Sequence, residues 1–176
     1  VNMPPIPANL QSKLQPYFEL GEKLGSFVAQ CTEGAIQEIA VSYSGELADL
    51  DVQPVTRYIL KGVLSHHLGS EQVNIVNSLH LAKVRDLSIV TNKSNAAKDF
   101  TNLVTVSLRS KQEERAVSGT LLTGYGPRIV SIDKFPVDVT PEGNLILISH
   151  NDKPGIIGSV GTLLGDNGVN IATMQV

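Results

Sequence analysis

The sequence predicts an α+β fold in which helices pack on a largely antiparallel sheet, followed by a partial β-α-β segment. Three observations carry this. Before residue 87, apolar residues recur at three- and four-residue steps on either side of one alternating stretch. From Leu87 to Val139 the pattern becomes short β-rich runs separated by polar or glycine-bearing turns. After the turn "TPEGN" (140–144), an apolar run, a helix-like stretch and a second β-rich run follow. Helices first and strands after argue for helices gathered on one face of a sheet.

The opening "VNMPPIPANL" carries three prolines in its first seven residues. It has no basic stretch before an apolar one, so it is no signal peptide. Residues 1–9 are expected to be a linker from a region upstream. In "PYFELGEKLGSFVAQC", Tyr17, Leu20, Leu24, Phe27 and Cys31 keep a helical period, and Pro16 suits a first helical turn. Gly21 and Gly25 fall on adjacent turns of one side. They either admit another backbone closely or are merely tolerated. "GAIQEIAVSYSGEL" alternates, with Gln37, Ile39, Val41 and Tyr43 on one face, and reads as a strand. Val55, Ile59 and Val63 set a second helix with Asp51 as its N-cap and Gly69 as its stop. "VNIVNSLHLAKVRDL" is an extended piece and then a helix starting near Asn77.

Five strands are expected in "LSIVT", "TNLVTVSL", "RAVSGTLL", "RIVSID" and "FPVDV", with the hairpin tip Lys111–Arg115 solvated. This first domain is placed over residues 10–140 and the terminal segment over 144–176. In that segment "LILIS" predicts a buried strand. Pro154 fits the first position of a helix capped by Asp152 or Lys153, and Ile156, Ile157, Val160, Leu163 and Leu164 form its apolar stripe. Gly168 stops the helix, and "VNIATMQV" predicts a second strand.

Composition excludes several classes. Lys and Arg number 14 against 17 Asp and Glu, a net charge of −3, without the basic excess of a nucleic-acid binder. The single cysteine, Cys31, rules out an intrachain disulfide and a cysteine-based zinc cluster. No apolar run is long enough for a membrane span, and a cytoplasmic location is expected. No G-x-G-x-x-G, G-x-S-x-G, H-E-x-x-H or Walker loop occurs, so the chain has no evident catalytic constellation. His66 and His67 are helical neighbours pointing about 100° apart, poorly placed to share a metal. His80 stands alone, and no metal site is expected.

The polar corner around the last helix is the candidate site. Gly155 leaves the helix start open, and exposed N–H groups there hold carboxylates. A normal β-α-β return would set Asn170 level with His150, Asn151 and Asp152. Imidazole, carboxamide and carboxylate together suit the ammonium and carboxylate of a free amino acid. The plain alternative is that Asp152 caps, Asn170 turns and His150 ends a strand.

"SHNDKPGIIGSVGTLLGDNGVNIATMQV" resembles the first strand, helix and second strand of an ACT domain, a ferredoxin-like fold. More narrowly, it resembles that of the D-3-phosphoglycerate dehydrogenase family. "VNMP", "PYFELGEKLG" and "VSGTL" extend the likeness to the long form of that family, where an allosteric substrate-binding (intervening) domain precedes the ACT domain. The resemblance implies L-serine bound at an ACT interface, with His150, Asp152 and Asn170 at the family's serine-contacting positions and Asn151 and Gly155 of the same corner beside them, and feedback on a homo-oligomer. It implies NAD and hydride transfer in a catalytic region upstream, and no cofactor here. It also implies phosphate, phosphoglycerate or another anion at a subunit interface, with Lys134, Arg128 and Lys93 as its basic candidates. Asp152 is often asparagine in relatives, which removes a donor. The regulatory region of an iron–sulfur L-serine dehydratase, or a free-standing amino-acid-binding module, are the other readings. In the complete ACT fold the strand order is 4-1-3-2. The two strands present here are therefore not neighbours, and open edges are expected.

Overall fold

In the computed structural model, residues 7–96 and 99–176 are described, and they divide into two compact units, one reaching Pro141 and one spanning Glu142–Val176. The expected linker falls largely on residues 1–6, outside the described residues.

The first unit is an α+β fold. Its elements run α1 (Ala8–Cys31), β1 (Ile36–Gly45), a 3-10 turn (Glu46–Asp49), α2 (Gln53–Leu68), α3 (Ser78–Val84), β2 (Ser88–Ser94), β3 (Asn102–Ser110), β4 (Glu114–Leu122), β5 (Gly126–Ile132) and β6 (Phe135–Val139). The six strands form one sheet in the order β2-β1-β3-β4-β5-β6. Only β1 and β2 pair in parallel; the other neighbours are antiparallel. The parallel pair is explained by its connection, since α2 and α3 form the crossover such a pair requires.

Alternation in β1 buries Ile39, Val41 and Tyr43, while Gln37, expected on the same face, is exposed at the strand's start. The register sets Val41 beside Val106 and Tyr43 beside Val104. These side chains meet Leu20, Leu24 and Val28 of α1 and Val55, Ile59 and Val63 of α2 in one aliphatic core. Each fully buried Leu or Ile contributes about 1.5–3 kcal/mol of transfer free energy. Inside this core Tyr43 bonds its hydroxyl to that of Thr56 at 2.7 Å, and burial pushes its phenol far above the ordinary value.

α1 begins at Ala8, with Pro16 inside it rather than in its first turn. Pro16 is exposed, so the carbonyl its missing N–H leaves free faces water, while Leu14, two residues earlier, is fully buried and holds the added turns to the core. α2 starts beside Asp51 as expected, but the carboxylate accepts the Gln53 N–H at 3.2 Å from one position before the N-cap Val52. Gly69 ends the helix with φ 89°. The piece before α3 forms turns, because Asn74 Oδ1 accepts the N–H groups of Val76 and Asn77.

The second unit contains α4 (Ile156–Asp166). Gly155, φ 91°, stands at its N-cap, so Pro154 lies in the preceding turn and neither Asp152 nor Lys153 caps. The helix stops at Gly168, φ 71°: Val169 N–H reaches Leu164 O and Gly168 N–H reaches Gly165 O, both at 2.9 Å, which satisfies the last carbonyls. The expected strands at "LILIS" and "VNIATMQV" join no sheet. A strand needs a neighbour for its backbone groups, and these two segments are not each other's. Ile146 consequently remains 65% exposed and Leu163 63%.

Candidate functional site

The polar corner lies wholly in the second unit. Residues 150–155 approach α4 through the left-handed Gly155, whose N-cap position leaves the first-turn amides without a side-chain partner. His150, Asn151, Asp152, Gly155 and Asn170 are all exposed. His150 Nδ1 lies 2.9 Å from the Asn151 carbonyl oxygen, which can only accept, so that nitrogen is the donor of the bond. Among the described residues, no hydrogen bond or ion pair engages the side chains of Asn151, Asp152 or Asn170. Chemically the corner offers one carboxylate, two carboxamides, an imidazole and a helix start.

The three basic candidates lie apart. Lys93 is on β2 at one edge of the sheet; Arg128 is on β5, four strand steps away, roughly 19 Å at about 4.8 Å per step. Lys134 occupies the β5–β6 turn, beyond the opposite end of β5 from Arg128, and is exposed. Arg128 is the most engaged of the three: its Nε sits 3.4 Å from Asp138 Oδ1, and it donates to the Thr140 hydroxyl. The Lys93 ammonium donates to the Leu50 carbonyl. One chain therefore does not gather these cations into a single cluster.

Sequence reading passed over Arg57. It lies in α2 facing a cleft of about 320 Å³ shared with Asp51, Thr56, Leu79, Ile89 and Lys93. Helical period marks Arg57 only as a polar position, and its nearness to β2 follows from the parallel pairing.

The turn after β1, "SGELAD", carries one glycine and no G-x-G-x-x-G, so the β1-α2-β2 crossover does not fit a dinucleotide. Among the described residues no group of three His, Cys, Asp or Glu is placed to hold a metal, and no helix is long and apolar enough to cross a membrane. The His66 and His67 rings stand edge to face, 4.9 Å apart. Burial first, and the neighbouring His66 second, hold His67 below its ordinary value of 6.5. The unfolded chain thus takes up a proton more readily than the fold. Stability is complete above about pH 6.5 and declines as pH falls through the lowered folded value. In urea melts between pH 7.5 and 5, with the pH chosen to bracket an unfolded histidine pKa of about 6.5, His67→Gln is expected to flatten part of that decline. An unchanged slope in the variant contradicts it.

Residues 13–133 match the profile of the family described as the D-3-phosphoglycerate dehydrogenase intervening domain. The whole chain is 36% identical over 176 residues to a D-3-phosphoglycerate dehydrogenase of Bacillus subtilis, covering 33% of that protein. It is 37% identical to one of Synechocystis, covering 32%, and 38% identical to one of Methanocaldococcus jannaschii, covering 33%. The chain spans about a third of the length of the curated relatives it matches.

Proposed function

Because the chain belongs to the D-3-phosphoglycerate dehydrogenase family, with that family's intervening domain over residues 13–133, we propose that it is the regulatory region of such an enzyme. The enzyme would be an NAD-dependent oxidoreductase acting on phosphoglycerate at the start of L-serine biosynthesis. The relatives' names favour this over a dehydratase or a free-standing module. The nicotinamide chemistry belongs to a catalytic region that the chain's own residues do not supply.

The regulatory ligand in this reading is L-serine, received at the corner of the second unit. The supporting observation is that every polar group of that corner is exposed while no side chain caps the first-turn amides of the helix beside it. The serine carboxylate would take those amides, and Asp152 and Asn170 the ammonium and hydroxyl. A second copy would close over the ligand, consistent with the exposed apolar side chains of Leu145, Ile146 and Leu163 nearby in sequence. Phosphate or phosphoglycerate would be a second ligand of the first unit, with Arg128 as its main cation. Because Lys134 lies at the other end of β5, a second cation would have to come from another copy.

Titration calorimetry with L-serine tests the reading. Saturable binding is expected, weakened at least about tenfold by either His150→Ala or Asn170→Ala, the loss of one charge-assisted or paired hydrogen bond. Serine binding that survives both substitutions places the ligand elsewhere.

A further inference from the structure

We propose that the cleft between α2, α3 and the β2 edge is a binding site for a small aliphatic monocarboxylate. It rests on residues of the first unit only and does not depend on the serine reading.

The cleft exists because the sheet is wider than its helical cover. α1 packs over β3, β4 and β5, and α2 packs chiefly on α1. β2, added in parallel outside β1, is therefore left with little helical cover. Its residues Ile89, Thr91 and Lys93 share the face that buries Ile39, Val41 and Tyr43 on β1. They form one wall, Val52, Gln53, Thr56, Arg57 and Leu60 form the opposite one, and Leu79 of α3 contributes at the side. The cleft's volume of about 320 Å³ reaches the lower bound for small-molecule sites, about 300 Å³.

The lining has two parts. Leu79 and Ile89, both half-buried, make an apolar surface that prefers a short aliphatic body. Arg57 and Lys93 come from opposite walls and are the lining's two cations. Arg57 touches the Ile75 and Val76 carbonyls only at 3.5 Å, the long limit of a hydrogen bond, so its planar fork keeps donors for a carboxylate. The Lys93 ammonium holds the Leu50 carbonyl with one of its three protons. Thr56 is committed to Tyr43 and to the Val52 carbonyl, which leaves the Thr91 hydroxyl and the Gln53 amide as neutral partners. Asp51 selects against higher charge: two cations and one carboxylate leave a single net positive charge, matched by a monoanion and poorly by a dianion.

Amide chemical-shift titration of the 176-residue chain with 3-methylbutanoate is the test. Saturable shifts are expected at residues 51–57, 79 and 89–93, with Kd near about 1 mM, weak as befits a ligand of so few atoms. Arg57→Gln and Lys93→Gln should each weaken binding about tenfold, and inorganic phosphate should bind more weakly than the carboxylate. Lys93 is exposed, so its variant remains folded and informative even where Arg57→Gln is not. Absence of saturable shifts, shifts unchanged in Lys93→Gln, or phosphate binding as tightly as 3-methylbutanoate would each overturn the proposal.

Discussion

Gly25→Val is expected to unfold the first unit or to cost it more than about 3 kcal/mol, the upper range for forcing extra atoms into a packed interior. A Cβ at Gly25 would sit 2.3 Å from the Ile59 carbonyl oxygen and 3.2 Å from the Val63 nitrogen. The contact is reciprocal: a Cβ at Gly62 would sit 2.2 Å from Glu22 O and 2.8 Å from Ser26 N. Both obstacles are backbone, so no rotamer relieves them, and α1 and α2 would have to separate. Separation would pull Leu24, Val28, Ile59 and Val63 from the shared core. Gly25→Ala sets two effects against each other. It gains up to about 1 kcal/mol of helix propensity, yet the backbone clash outweighs that gain, and a net loss of about 1–2 kcal/mol is expected. Gly161→Ala in α4, where nothing lies within 4 Å, is the control and should be neutral or stabilising. Urea melts of the variants check all three. A Gly25→Val chain with an unaltered midpoint would mean that the two helices are not locked at this seam.

The glycine seam shows what the sequence leaves open. Spacing placed Gly21 and Gly25 on one side of a helix, but close approach and simple tolerance looked alike until Gly62 supplied the opposing surface. Local patterns read well elsewhere. All five runs between Leu87 and Val139 are strands, because alternation and turn residues are properties of neighbours in the chain. Pro16 misled about the start of α1, since a proline suits a first turn and also survives inside a helix when its ring faces water. The candidate residues divide in the same way. The corner at 150–155 is contiguous and so could be seen as a unit, whereas Arg128, Lys134 and Lys93 were grouped by charge, and strand order sets them apart. Arg57 escaped notice because only the parallel pairing of β2 with β1 brings a cation of the crossover helix beside Lys93.

Asn102→Leu is expected to cost about 2–4 kcal/mol, because one buried amide joins three elements. Its Oδ1 accepts the Leu47 N–H of the 3-10 turn at 3.0 Å, and its Nδ2 donates to the Tyr17 hydroxyl of α1 at 2.9 Å. Its backbone carbonyl accepts the Thr120 hydroxyl of β4 at 2.6 Å, a bond the substitution keeps. Leucine fills nearly the same volume, so the cost comes from polar groups rather than a cavity. The Leu47 N–H, at a residue 1% exposed, would be stranded away from water, worth about 1–3 kcal/mol, and the tyrosine bond adds about 1 kcal/mol. Tyr17→Phe removes only the second bond and should lose only about 1 kcal/mol. Asn102→Asp keeps the acceptor but gives up the donor and buries a charge, so it should resemble leucine rather than wild type. A second readout separates this network from general loosening. Burial pushes the Tyr17 phenol up, and the bond from Asn102 pulls it partly back. In Asn102→Leu the tyrosinate should therefore form at higher pH than in the parent chain, followed by ultraviolet titration below the unfolding pH. A leucine variant with the parent's urea midpoint and the parent's tyrosine titration would show that this amide ties nothing together.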